Sequence, residues 1–233
     1  MKISNNNRLI QRNKRISQIV LYSALALLVI GLIWSFTGAD RTQYTIAYII
    51  LIPAYILVQI SIYLANKWGR SPRPDEIIGL SLKGLNDQYT LSNYNTGVPH
   101  LLVGPAGVWI INPYHQIGII TYNSGKNRYE QKGGANFIAK LFGQESLSNI
   151  EKESKIARRV FEDYKKKNNI SFDVEPKIVN IFFSEKADVN AKNAPEITIH
   201  SDKLKEMFRS QAKLNLLRDE KINQIRSQLP DPN

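Results

Sequence analysis

The chain contains no cysteine. A disulfide-built domain, a thiolate metal site and a cysteine nucleophile are therefore all excluded. Histidine is scarce, with three in 233 residues, and acids are missing from long stretches. Up to Arg73 the only acid is Asp40, against nine Lys and Arg, and from Gln88 through Tyr129 there is none in 42 residues. Charge of either sign is missing from residues 16–36 and again from residues 42–66, runs of 21 and 25. About 20 apolar residues cross the roughly 30 Å of bilayer hydrocarbon, and core helices do not need runs this long. Two N-terminal transmembrane helices are predicted, which excludes a freely soluble enzyme, although the mean hydropathy of −0.28 is that of an ordinary soluble protein.

The net charge of +11 points to nucleic acid only if it is spread over the chain, and it is not. Residues 1–73 carry +8 and residues 74–233 only +3. Positive charge beside apolar runs reports membrane orientation and attraction to anionic lipid. Five basic residues precede the first run, the connection 37–43 is neutral, and Lys67, Arg70 and Arg73 follow the second. The expectation is a multi-pass membrane protein with two spans and both termini in the cytoplasm. A signal peptide fits poorly, because 21 apolar residues exceed an h-region of about 7–15 and no small-residue cleavage site follows. Tyr22, Trp34, Tyr44, Tyr63 and Trp68 stand near the expected span ends, and Pro53 is expected to kink the second helix. Neither run holds Asp, Glu, Lys, Arg or His, the groups that proton relays and ion paths use, so a transporter or channel is disfavoured. Gly31 and Ser35 form one small-xxx-small match, a weak signal in an apolar run.

The predicted organisation is a basic N-terminus (1–15), a two-helix hairpin (16–66), a linker (67–73) stiffened by Ser71-Pro-Arg-Pro74, and an α/β domain (74–233). A helix is expected from Pro74 to about Asn86, with Asp75 and Glu76 at its positive end. Strand patterns follow at residues 89–94, 98–103, 108–111, 117–122 and 128–131, read together as an antiparallel meander. Gly104-Pro-Ala-Gly107 turns the chain between two of them. Ser148-x-x-Glu151 is a capping box, and apolar residues recur at helical spacing to about Asn168. A buried strand at 177–183, a short strand at 196–199 and helices at 202–211 and 217–229 complete a mixed, hairpin-rich sheet flanked by helices.

At Val98-Pro-His-Leu-Leu-Val-Gly-Pro-Ala-Gly-Val-Trp-Ile-Ile-Asn112, followed by Gly118-Ile-Ile-Thr-Tyr122, the chain resembles the nuclease-related domain family, NERD. That family is grouped with the PD-(D/E)xK nuclease-like fold, a mixed sheet preceded by a helix carrying an acid, with a metal site on the central hairpin. The resemblance covers residues 74–144 and then fades. It implies a nuclease in which two carboxylates hold Mg²⁺ and a lysine assists the attacking water. Laid on this chain, the Asp position falls on Pro99, the Glu on Asn112 and the Lys on Tyr114, so none matches. Glu76 is the single weak catalytic candidate, with Asp75 beside it.

The expected function is thus a membrane-anchored, catalytically inactive NERD-like domain acting as a binding or interaction module at the cytoplasmic face of the bilayer, with no metal site and no cofactor. Nucleic acid and another membrane protein are the candidate partners. An active nuclease with migrated residues, which alone would require Mg²⁺, and a structural subunit of a membrane assembly are the alternatives. His100, Asn112, Tyr114 and Gln116 are candidates for a remnant pocket, although His100 and His115 also read as ordinary strand and loop residues without an acid to orient them. Lys165–Lys167 with Arg158 and Arg159 reads as a solvated helix face more readily than as a basic groove, because Glu151, Glu153, Glu162 and Asp163 share the helix. Walker A and Gly-x-Ser-x-Gly patterns are missing.

Overall fold

The computed structural model describes residues 1–37, 41–134, 147, 149–214 and 216–230. It divides into two units: residues Asn7–Arg73, and Met1–Asn6 together with Pro74–Asn233. The expected N-terminal segment 1–15 is accordingly split. Residues Lys2–Asn5 form strand β1 of the α/β unit, and helix α1 (Asn7–Thr37) takes up Arg8, Arg12, Lys14 and Arg15.

Helix α1 and helix α2 (Arg41–Leu64) are each long and apolar enough to cross a membrane. Helix α2 runs unbroken through Pro53 and is followed by a π-helical turn, Ala65–Gly69. The buried positions explain the pairing. On α1 they are Ile10, Ser17, Ala24 and Gly31, and on the returning chain Ala47, Ala54, Ser61 and Trp68. Both series step by seven, close to two helical turns, so each lines one side of its helix. Small side chains let the two backbones approach closely. Gly31 belongs to this seam: a Cβ there would lie 2.6 Å from Leu51 Cδ2. Ser35, its expected partner in a small-residue motif, instead donates to the Leu32 carbonyl at 2.8 Å. Trp68, expected at the interface, is only 6% exposed. Replacing Gly31 by Leu should spread the hairpin, at an overpacking cost of about 1–3 kcal/mol. Cysteines introduced at Ser17 and Gly69 of this cysteine-free chain, where a Cβ at Gly69 would lie 3.6 Å from the Ser17 Oγ, should cross-link readily, and severalfold less with Gly31→Leu; an unchanged yield would refute the seam.

In the α/β unit, helix α3 (Pro74–Ser81) is followed by strands β2 (Thr90–Thr96), β3 (Val98–Gly104), β4 (Gly107–Tyr114), β5 (Gly118–Asn123) and β6 (Arg128–Lys132). Then come helix α4 (Ile150–Lys167), strands β7 (Lys177–Phe182), β8 (Ala187–Asn190) and β9 (Ile197–His200), and helices α5 (Leu204–Ala212) and α6 (Asp219–Ser227). Helix α3 stops short of Asn86, and Gly84 at φ +91° redirects the chain. Asn149 caps α4 by accepting from Lys152 N at 3.0 Å; Ser148 of the expected capping box lies outside the described residues.

The six-stranded sheet has the order β1-β2-β3-β4-β7-β9. Strands β2, β3 and β4 form the expected antiparallel meander, whereas β7 and β9 add in parallel. The meander does not continue into β5 and β6, which form a separate three-stranded sheet with β8. A parallel partner needs a long crossover, and residues 115–176, including α4, supply it.

Alternation along the strands sorts the core into two layers. Leu91, Leu102, Trp109, Ile111, Val179 and Ile181 face α3 and α5 through Ile78, Leu82, Leu204 and Phe208. Leu101, Val103, Val108, Ile110 and Ile178 face α4 and α6 through Phe161, Ile222 and Ile225. The glycine turn is shaped by packing: the Tyr89 ring lies where a Gly104 side chain would be, Gly107 has φ +108°, and Trp109 Nε1 donates to the Ala106 carbonyl at 2.7 Å.

Strand β1 pairs in parallel with β2, from Lys2 opposite Thr90 to Asn5 opposite Asn93. A polar row crosses three strands here. His100 Nδ1 donates to Asn93 Oδ1 at 2.8 Å, and Asn93 Nδ2 donates to Asn5 Oδ1 at 2.7 Å. Asn95 Nδ2 adds a bond to Ser4 Oγ at 2.8 Å. The chain therefore leaves this sheet at β1, makes the whole α1–α2 hairpin, and re-enters the same unit at α3.

Candidate functional site

Strand β4 begins as an apolar run and ends Asn112-Pro-Tyr114, where period-two alternation carries Asn112 and Tyr114 onto the α4 face with Val108 and Ile110. The parallel register places Asn112 opposite Asn180 of β7, and Asn180 opposite Thr198 of β9. Ser154 comes down onto this row from α4. Asn180 is fully buried and sits at its centre. It accepts from Asn112 Nδ2 at 3.2 Å and from Ser154 Oγ at 3.4 Å, and donates through Nδ2 to Thr198 Oγ1 at 3.4 Å. Thr198 passes its one proton to the Glu196 carbonyl at 3.1 Å, so Tyr129 must be the donor in its 2.8 Å bond with Thr198.

Around this neutral row stand the ionisable groups. The Tyr114 phenol donates to Glu153 Oε2 at 2.8 Å, and its ring stacks on Phe182 at 5.3 Å. Burial, reinforced by the Glu153 carboxylate, pushes the Tyr114 phenol far above the ordinary tyrosine range, so it stays a proton donor at any physiological pH. Burial likewise raises Tyr129, and a hydrogen bond to Glu151 raises Tyr122. Glu196 is raised by burial, against the opposing pull of Arg158, whose Nη2 lies 3.0 Å away. Arg158 also faces Glu175 at 3.7 Å. Of the other cations of α4, Lys165 pairs with Glu162 at 2.8 Å and lies over the Phe161 and Phe172 rings, whereas Lys152, Lys155, Lys166 and Lys167 are exposed.

The four expected pocket residues do not share one site. Asn112 and Tyr114 belong to the polar row under α4. His100 lies two residues before Leu102, on the opposite face, bound to Asn93. Gln116 is in the turn after β4, only 5% exposed, with an Oε1 that has no hydrogen-bond partner. Glu76 is half-buried in the first turn of α3, the helix on the His100 face, while its neighbour Asp75 is only 3% exposed. Extending the β3–β4 register sets Pro99 across from Asn112. Among the described residues, no group of three or more His, Asp or Glu is placed to hold a metal ion.

Sequence reasoning missed Asn180, Thr198, Ser154, Tyr129 and Glu153. One signal was there: an amide inside Ile178-Val-Asn-Ile-Phe182, a run otherwise built for burial, is a polar group that needs partners. Comparison with protein-family models, with curated proteins and with solved structures gives no match.

Proposed function

We propose that this chain is a two-pass membrane protein whose cytoplasmic head is a nuclease-related domain without metal chemistry, serving as an interaction module at the membrane face. One observation carries the loss of chemistry. Where the family has Glu and Lys, Asn112 and Tyr114 stand, and both are committed to protein partners, Asn180 and Glu153. Mg²⁺ prefers anionic oxygens. Pro99 offers none, Asn112 a neutral amide, and Tyr114 a phenol whose environment favours the protonated form. These residues do not fit the ion. Glu76 does not repair the set, because α3 packs on the other face of the sheet. An acid-bearing helix ahead of a mixed sheet, and a central hairpin turning at Gly104–Gly107, are consistent with the family's plan.

The membrane half of the reading rests on β1. Strands β1 and β2 flank the hairpin in sequence and pair in one sheet. An open sheet does not straddle hydrocarbon, so both ends of the hairpin lie on one side and the number of crossings is even. The basic excess flanking the spans selects the cytoplasmic side. On the head, Arg158 and Lys165 are paired with acids, which favours a protein partner over a polynucleotide.

The purified full chain, incubated with single- and double-stranded DNA and Mg²⁺ or Mn²⁺, should show no metal-dependent cleavage. Cleavage that disappears in Glu76→Ala would establish the active-nuclease alternative instead.

A further inference from the structure

The α1-facing seam uses one side of α2. Roughly a third of a turn away, Tyr48, Ile52, Tyr55, Gln59 and Ile62 follow one another at steps of four and three, a second stripe along the same helix. Nothing in the hairpin covers its middle: Tyr48 is 63% exposed, Ile52 60% and Tyr55 48%. The position is anomalous for phenols. Tyrosine favours the bilayer interface, yet at about 1.5 Å per residue Tyr55 lies roughly 16 Å along the helix from Tyr44 and about 13 Å from Leu64, near mid-depth in a hydrocarbon layer of about 30 Å. Neither Tyr48 nor Tyr55 has a hydrogen-bond partner among the described residues. At the depth of Tyr55 water is not there to supply one, and Tyr48 lies about 6 Å inside the interfacial Tyr44. Pro53 adds an acceptor to the same level, because it has no N–H to give the carbonyl of Ile49, a residue that is 64% exposed.

We propose that this stripe is the interface of a homodimer, with α2 of a second copy packed in parallel against it. The inference rests on the membrane-spanning reading above. A second copy is favoured over a foreign helix by depth. A twofold axis along the membrane normal sets Tyr55 level with Tyr55 of the second copy, and Tyr48 with Tyr48. A phenol is both donor and acceptor, so such pairs satisfy themselves without any further design. Spacing of four and three residues is also what a left-handed pair of parallel helices requires. An unrelated helix would have to carry matching acceptors at both depths.

The test uses the full chain in phosphatidylcholine–phosphatidylglycerol vesicles over a range of lipid-to-protein ratios. Flotation with the vesicles is the first readout, and recovery in the unfloated fraction would sink the membrane reading and this one with it. For chain that floats, dimerisation is followed by energy transfer between two labelled pools. Wild type should dimerise, and Tyr48→Phe with Tyr55→Phe should weaken the dimer about tenfold or more. Since the chain has no cysteine, single substitutions give a second, independent readout. Ile52→Cys should form a covalent dimer on oxidation, whereas Ile60→Cys, exposed on another side of α2, should not. Floating chain that stays monomeric, a double-Phe variant that dimerises like wild type, or equal cross-linking at 52 and 60 would each overturn the homodimer while leaving the membrane reading standing. Cross-linking of Ile52→Cys in native membranes only to a different protein would overturn it as well.

Discussion

Truncating Trp109 to alanine should cost the head about 3–5 kcal/mol, the range for deleting a buried indole. The side chain is 1% exposed at the centre of the β3–β4 hairpin. It meets Phe208 of α5 edge to face at 5.5 Å, lies under Lys177 Nζ at 5.4 Å, and closes the glycine turn through its bond to Ala106. Three elements lose a common contact if it goes. Trp109→Phe keeps a ring in the cavity and gives up the hydrogen bond, and about 1–2 kcal/mol is expected for it. Pulse proteolysis of the detergent-solubilised full chain in a urea series reads both. An alanine variant within about 1 kcal/mol of wild type would show that the turn and α5 do not depend on this ring.

Asn180→Asp carries the second large effect. The shape is nearly unchanged, but a carboxylate would be buried at a point where the existing partners are an amide, two hydroxyls and no cation. Loss of about 3–5 kcal/mol is expected at neutral pH. The sign of its pH dependence follows from the direction of the shift. Burial raises the folded-state value above the ordinary Asp value of about 3.9, so the folded protein takes up the proton first. The destabilisation is complete above the raised folded value and fades as pH falls through it. Once protonated, the acid can accept from Asn112 and Ser154 and donate to Thr198, much as the amide does. Unfolding midpoints measured for variant and wild type at pH 7.5 and pH 5 should converge toward the acid side. A gap independent of pH would mean that lost packing, rather than charge, sets the cost.

The resemblance that stands out in the sequence turns out to be made of folding residues. Gly104, Gly107 and Trp109 are explained by a ring packed on a glycine, a positive φ and an indole hydrogen bond, all at the turn end of the hairpin. Pro99, Asn112 and Tyr114, onto which the family's catalytic positions would fall, lie at the other end of the same strands and supply neither an acid nor a lysine. Strands β2, β3, β4 and β7 and helix α4 were readable because their burial is periodic or continuous. Strand β1 was not. Lys-Ile-Ser-Asn has no pattern of its own and is a strand only because β2 offers it an edge. Sheet membership of β5 and β6 was equally hidden, since a hairpin signal says that two strands pair and not which sheet they join. The polar row needed residues from β4, β6, β7, β9 and α4, brought together by a parallel crossover that no local window contains. In the hairpin, a seam of small residues at every seventh position is masked by surroundings that are mostly apolar and carry no charge.

The interrupted head has a consequence for biogenesis. Asn5 and its partner Asn93 lie 88 residues apart, with the hairpin between them. During synthesis the first strand to emerge must wait, and the sheet edge it will cover stays bare until both oily helices have been made and turned back. Closing so long a loop is entropically costly for a free chain. On the two-pass reading proposed above, a hairpin already threaded into lipid holds the two ends near each other and removes most of that search. Insertion should therefore come before completion of the head, and a chain that fails to insert should be left with an unprotected strand, open to aggregation or to proteolytic clearance.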